Sequence, residues 1–376
     1  MLTTGSMATT ASSCFKKPCS FSWTIASTSV TATPASAATY TVDCGTNGPT
    51  SLVQNQLAAI TGTHNVLTVT GTCSGDLQLS AIDSLTISGL SMTGTLSLSA
   101  ATHIGIQGVT ISGELLATDH SSLTVSNSTV NGVIQLMHET SGSFSNLTVA
   151  NWVDPGTGTA SSGIVCEMSS ECSFSNTNVS GVPSGDVTTP SIGIQAVSAS
   201  RLNFTSGRIN GFDWGVHVWN NATAFFNPYC ANLSIDSNRS IGVEVRDGGV
   251  VKLEGSPAGS GCPAANVIIS NNGNYGMLAE GGGLGFLYLA QITGHALDGL
   301  LIQDGSVVKV RSSSVDRATS TGLSAAVRSD AHLWFNEETA GPTAGSTLAG
   351  PVCVTSDSSV DTNNSSTVVR ETSRCP

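Results

Sequence analysis

The sequence predicts an all-β chain wound into a single solenoid of parallel strands, and three observations carry that expectation. Leu85-Thr-Ile-Ser-Gly89, Ile104-Gly-Ile-Gln-Gly108 and Leu123-Thr-Val-Ser-Asn127 begin 19 residues apart, each a short apolar alternation closed by a turn residue. A second series sets Gly before alternating apolar residues at Gly163, Gly193, Gly215, Gly242, Gly276, Gly299 and Gly322, with steps of 30, 22, 27, 34, 23 and 23 residues. No helical pattern separates these strands, which excludes a βαβ sheet. An antiparallel sandwich would need hairpin dipeptides between most strands, whereas the turns here resemble one another from repeat to repeat, as stacked coils require.

In chain order, residues 1–38 read as a leader. Lys16 and Lys17 precede a moderately apolar stretch from Phe21 to Ala32, followed by Pro34 and Ala35-Ser36-Ala37, the order of a secretory signal peptide and its cleavage site. Residues 39–64 read as an N-terminal cap. Within it, Ser51 and Gln54 form an expected capping box, and Val53, Leu57 and Ile60 share one face of a short helix that plugs the open end of the solenoid. Coils are expected over 65–336 and a polar, disulfide-tied tail over 337–376. Turn asparagines in Val130-Asn131-Gly132, Ile209-Asn210-Gly211 and Ile269-Ser270-Asn271-Asn272-Gly273 suggest a hydrogen-bonded Asn column along the coils.

Composition narrows the function classes. The 376 residues include 56 Ser, 44 Thr and 41 Gly, only 10% are charged, and 39% are apolar, enough to build a core. Net charge is −12 with 13 basic residues and no basic run, which argues against nucleic acid or an anionic membrane as partner. No apolar run is long enough to span a bilayer. Ten cysteines become eight without Cys14 and Cys19 of the leader, an even number suited to disulfides in an extracellular or periplasmic compartment. Cys44 and Cys73 each follow an alternating strand, and Cys230-Ala-Asn-Leu and Cys262-Pro-Ala-Ala-Asn-Val occupy equivalent turns; each pair is expected to be bridged. Cys353 with Cys375 would tie the tail, leaving Cys166 with Cys172. The spacings fit no zinc site, and no metal or cofactor is expected.

With the strand carrying Cys44, the capping helix, the strand ending Gly71-Thr72-Cys73 and the Gly-led coils, the chain resembles the right-handed parallel β-helix superfamily of pectate lyases and their relatives. The resemblance implies the fold and a bias toward carbohydrate, since members include polysaccharide lyases, glycoside hydrolases, carbohydrate esterases and non-catalytic surface proteins; it selects no reaction. The polygalacturonase-like motif set departs throughout. Asn176-Thr177-Asn178 lacks the carboxylate, no Asp-Asp dipeptide occurs, Gly294-His295-Ala296 lacks the second Gly, and Arg208-Ile209-Asn210 precedes it instead of following. Motifs for pectate lyase and pectin methylesterase are likewise missing.

The candidate site therefore rests on register. If residues one and three after each Gly point inward, Ile194 and Ala196, Val216 and Val218, Val243 and Val245, and Leu300 and Ile302 line the core. Residues two and four then face out, placing Gln195, His217 and Glu244 in one column and Trp219, Arg246, Glu280 and Gln303 in the next. Trp219 beside Arg246 suits a sugar ring, and His217, Glu244, Gln195 and Glu280 suit its hydroxyls. The leading expectation is engagement of extracellular polysaccharide. Its rival is a polysaccharide-degrading hydrolase or lyase, with Glu244 and Glu280 about 8 Å apart as in an inverting glycosidase. A third possibility is a structural or adhesive surface protein, with the outer charges forming only a salt-bridged face. Asp213, His295 and Asp298 read as turn residues.

Overall fold

The computed structural model describes residues 37–60, 64–150, 162–184, 189–259, 261–316, 323–336, 346–348, 350–355 and 357–363. The fold is the all-β parallel β-helix: each coil contributes up to three short strands, and every ladder is parallel. One 12-stranded sheet runs from Leu77–Ser80 through the Gly-led strands to Val352–Val354. The other two faces join into a 22-stranded sheet, because long strands such as Ser122–Asn131, Ser141–Ala150 and Glu171–Ser180 span both of them.

The predicted register is the one observed. Leu85–Ser88, Ile104–Gln107 and Ser122–Asn131 stack in sequence, and Ile194, Val216, Val243, Met277 and Leu300 follow one another rung by rung. All of these last five are fully buried. The Gly that opens each strand has a packing reason. A Cβ at Gly163, Gly193, Gly215, Gly242 or Gly276 would lie 2.5–2.7 Å from the backbone oxygen of the glycine on the following rung. Gly242→Ala must push two rungs apart. Overpacking of about 1–3 kcal/mol, less the 0.5–1 kcal/mol that Ala gains in a strand interior, gives an expected net loss of up to about 2.5 kcal/mol in urea unfolding. Gly322 lies outside the described residues, and Ser324 stands opposite Gly299.

Inside, like side chains stack. Phe144, Phe174, Phe204 and Phe226 form a run with centroid separations of 4.5, 5.9 and 6.0 Å. Val130, Val149, Val179, Ile209, Ile235, Ile269 and Ile292 fill the third face. The stacked asparagines match those expected only at Asn272. Asn131 and Asn210 share a column, but their rung neighbours are Ala150 and Asp236. The hydrogen-bonded runs are Asn127–Asn146–Asn176, all with positive φ, and a buried corner column of Asn238, Asn272 and His295. Each Asn Oδ1 in that corner accepts a turn N–H, from Phe212 and Asn238 respectively. His295 is thus a fully buried member of the column, and burial lowers its pKa to about 4.

The helix Ser51–Ala59 covers the first coil with Val53 and Leu57 buried. The expected capping box is absent. Thr50, not Ser51, is the N-cap; its hydroxyl donates to Asp76 O, and Gln54 turns away so that its Oε1 accepts from the Gln78 N–H. Cys44–Cys73 and Cys230–Cys262 are bridged, as are Cys166 and Cys172 across one tight corner. Cys375 lies outside the described residues, as does the leader to residue 36. The ladders also run on past residue 336, where a tail was expected: Val352–Val354 pairs with Ala325–Val327, and Ser359–Asn363 with His332–Asn336. No helix among the described residues is long and apolar enough to cross a membrane.

Candidate functional site

The two outward columns of the Gly-led sheet form as the alternation requires. Gln195, His217 and Glu244 are rung neighbours, continued by Leu278, Leu301 and Ala326. Trp219, Arg246, Glu280 and Gln303 each follow a strand, and each backbone N–H donates to the preceding rung: to Ala196, Val218, Val245 and Ala279.

What periodicity could not supply is the degree of cover. The His217 and Glu244 side chains, expected on an exposed face, are 4% and 3% exposed. Large neighbours on the same outer surface enclose them. The His217 ring lies flat against Trp219, with centroids 5.7 Å apart and planes within 2°, and takes the edge of Trp214 at 5.2 Å. The Arg246 guanidinium sits over the Trp219 ring at 5.2 Å. Further along, Ile241, Leu278, Leu301 and Ala326 form a second buried cluster on this outer side, with Trp214 and Tyr275 against it. Gln195, Trp219, Arg246 and Glu280 remain half-buried at its margin.

Arg246 is the hub of the charges. Its Nη1 lies 3.9 Å from Glu244 Oε1 and 3.8 Å from Glu280 Oε1, while Nε is 3.5 Å from Asp247 Oδ2 without hydrogen-bond geometry. Glu280 accepts from Gln303 Nε2 at 3.0 Å. Glu244 and Glu280 thus face the same guanidinium from successive rungs.

Burial pushes Glu244 up to about 8; Arg246 opposes this and the Glu280 charge adds to it. Burial, reinforced by Arg246, drives His217 down to about 3. At neutral pH the site therefore holds a protonated Glu244 beside an uncharged imidazole, with Nε2 and Oε2 3.6 Å apart, beyond hydrogen-bond distance. Both His217 ring nitrogens, Trp219 Nε1, Glu244 Oε2 and Arg246 Nε are buried with no hydrogen-bond partner among the described residues. Among those residues no group of three or more His, Cys, Asp or Glu converges as a metal site.

Asp213 and Asp298 are more than turn residues. Asp213 Oδ2 accepts from the backbone N–H and hydroxyl of both Ser184 and Ser191, and Oδ1 faces Arg239 at 3.3 Å, so it ties Ser184 and Ser191 together. Asp298 is buried at its strand start, accepts from Leu323 N–H, and is raised by that burial.

No family model matches the chain, and no curated protein matches it. Among solved structures it is similar to the A-module of the Azotobacter vinelandii mannuronan C-5 epimerase AlgE4, at 13% identity and a TM-score of 0.39, over 84% of this chain and 90% of that one.

Proposed function

We propose that the chain engages extracellular polysaccharide at the lip formed by Trp219, Arg246, Glu280 and Gln195, above the buried His217–Glu244 pair. One observation carries the reading: five buried polar atoms of His217, Trp219, Glu244 and Arg246 gather on one outer surface with no hydrogen-bond partner among the described residues. Buried polar groups are ordinarily paired, so such a concentration calls for an explanation. A polyhydroxylated chain that parts the Trp219–Arg246 lip would match it: sugar hydroxyls both donate and accept, as the neutral imidazole and a protonated carboxyl do, while Trp219 Nε1 and Arg246 Nε only donate. The partly exposed Trp219 ring supplies apolar surface for a sugar face. The three disulfides among the described residues fit an oxidising compartment, and with them belongs the reading of residues 1–38 as an export leader.

A specific observation favours a second reading, a carbohydrate-active enzyme. Glu244 keeps its proton at neutral pH, as a general acid for a glycosidic oxygen must. His217, held near pKa 3, is a poor base, so an enzyme at this site would rest on acid assistance from Glu244. A glycan array followed by product analysis on every hit separates the readings. Binding with intact glycan supports engagement alone, and shortened or unsaturated products support the enzyme. No hit across neutral and acidic glycans contradicts both and leaves a structural surface protein.

A further inference from the structure

The outer side of a different face carries a second pattern. One column of the 22-stranded sheet runs Asn203, Phe225, Lys252, Phe286, Lys309, Trp334, each the rung neighbour of the next. Aromatic rings and ammonium groups alternate. Lys252 Nζ lies 5.2 Å from the Phe225 centroid and 5.6 Å from that of Phe286, and Lys309 Nζ is 5.5 Å from both Phe286 and Trp334. Arg201 extends the pattern over Phe225 at 5.2 Å, and Arg311 covers Tyr288 at 5.4 Å alongside. The chain has four lysines; Lys16 and Lys17 fall outside the described residues, and both others stand here, two rungs or ~9.6 Å apart. In a protein of net charge −12 this is a concentrated cationic stripe. Among the described residues the acidic groups next to it are Glu171 beside Arg201, Glu254 two residues along from Lys252, and Asp361 on the rung beyond Trp334.

The stripe continues N-terminally as a groove of about 600 Å³, lined by Thr124, Ser143 and Ser173 leading to Asn203 in the same column and, to one side, by the rung neighbours Glu171 and Arg201. Cations cover the ring faces, so the rings turn their edges outward, and ring edges carry the positive end of the aromatic quadrupole. Nucleobases need open ring faces for stacking, and here Phe225 and Phe286 each carry two cations over their rings. Ammonium groups, positive ring edges and hydroxyl-bearing side chains along one line suit a linear chain that is both anionic and polyhydroxylated.

We propose that this stripe is a binding track for an acidic polysaccharide, bearing carboxylates or sulfate esters, separate from the Trp219 lip and independent of the function assigned to it. The test is biolayer interferometry of the full chain on immobilised polygalacturonate, dextran sulfate and neutral dextran. The wild type should bind at least one charged polymer and not the neutral one, and added salt should weaken that binding. The double variant Lys252→Gln/Lys309→Gln should lose at least tenfold, and Lys252→Arg/Lys309→Arg should keep most of the affinity. Circular dichroism checks folding; if the Gln variant fails to fold, the wild-type polymer selectivity and the Arg variant decide. Equal binding to neutral dextran, no binding to either charged polymer, or undiminished binding by a folded Gln variant overturns the proposal. Equal affinity for a single-stranded oligonucleotide overturns the assignment to polysaccharide.

Discussion

Phe174→Ala should lower stability by about 3–5 kcal/mol in urea unfolding followed by circular dichroism. Phe174 is fully buried between Phe144 and Phe204, one rung to either side, and stacks on both. Truncation removes a ring from the middle of a column whose neighbours are fixed by parallel ladders on each flank. The rungs cannot close over the hole without breaking backbone hydrogen bonds, so the cavity persists and its cost adds to the lost burial. A loss below about 1 kcal/mol would mean that the column is loosely packed.

Glu244→Gln should reshape the dependence of stability on pH. The unfolded chain releases the Glu proton near 4.5 and the His proton near 6.5, whereas the folded site holds Glu244 protonated to about 8 and His217 uncharged to about 3. Between 4.5 and 6.5 each state carries one proton on this pair, so stability is flat. Above 6.5 only the folded state retains one, and stability falls as pH rises, by about 2 kcal/mol at pH 8 at 1.36 kcal/mol per unit. Below 4.5 the unfolded state carries two against one, and stability falls as pH drops toward 3. Gln cannot titrate. The variant should lose the alkaline limb, and its acid limb should begin near 6.5, where only His217 distinguishes the states. Urea midpoints from pH 4 to 9 check this; an alkaline limb that survives in Glu244→Gln would place its origin elsewhere.

The Gly-led register was legible in sequence because side-chain alternation has a period of two and a slip of one residue would expose Val216, Val243 and Leu300 together. The glycines themselves mark where one rung's carbonyl occupies the next rung's Cβ position. Cover was not legible. His217 and Glu244 lie on the outward side as the alternation requires, yet Trp214, Trp219 and Arg246 roof them, and no periodicity reports how far a neighbouring ring leans. Lateral relations hid for a related reason. Lys252 and Lys309 are 57 residues apart in the chain and two rungs apart in space, so a sequence without a basic run folds into one with a cationic stripe. Of the Asn238–Asn272–His295 corner only Asn272 was legible, because its partners stand 34 and 23 residues away and one of them is a His. The helix start was misplaced by one residue because Ser51 and Gln54 fit a capping box locally, while Asp76 and Gln78 of the next coil take the polar groups of Thr50 and Gln54 instead.

Calorimetric titration of a glycan that binds the wild type into Trp219→Phe and Trp219→Ala decides most directly whether the Trp219 lip engages polysaccharide. Trp219 stacks on His217 and carries Arg246, so its ring is the one surface shared by the lip and the buried pair. Affinity should fall by about 1–3 kcal/mol in Trp219→Ala, the worth of a buried aromatic contact, and by less in Trp219→Phe, which keeps a ring but loses the Nε1–H donor. Wild-type affinity in Trp219→Ala, accompanied by a lowered melting temperature, would contradict the assignment and make Trp219 only a cover for His217 and Glu244.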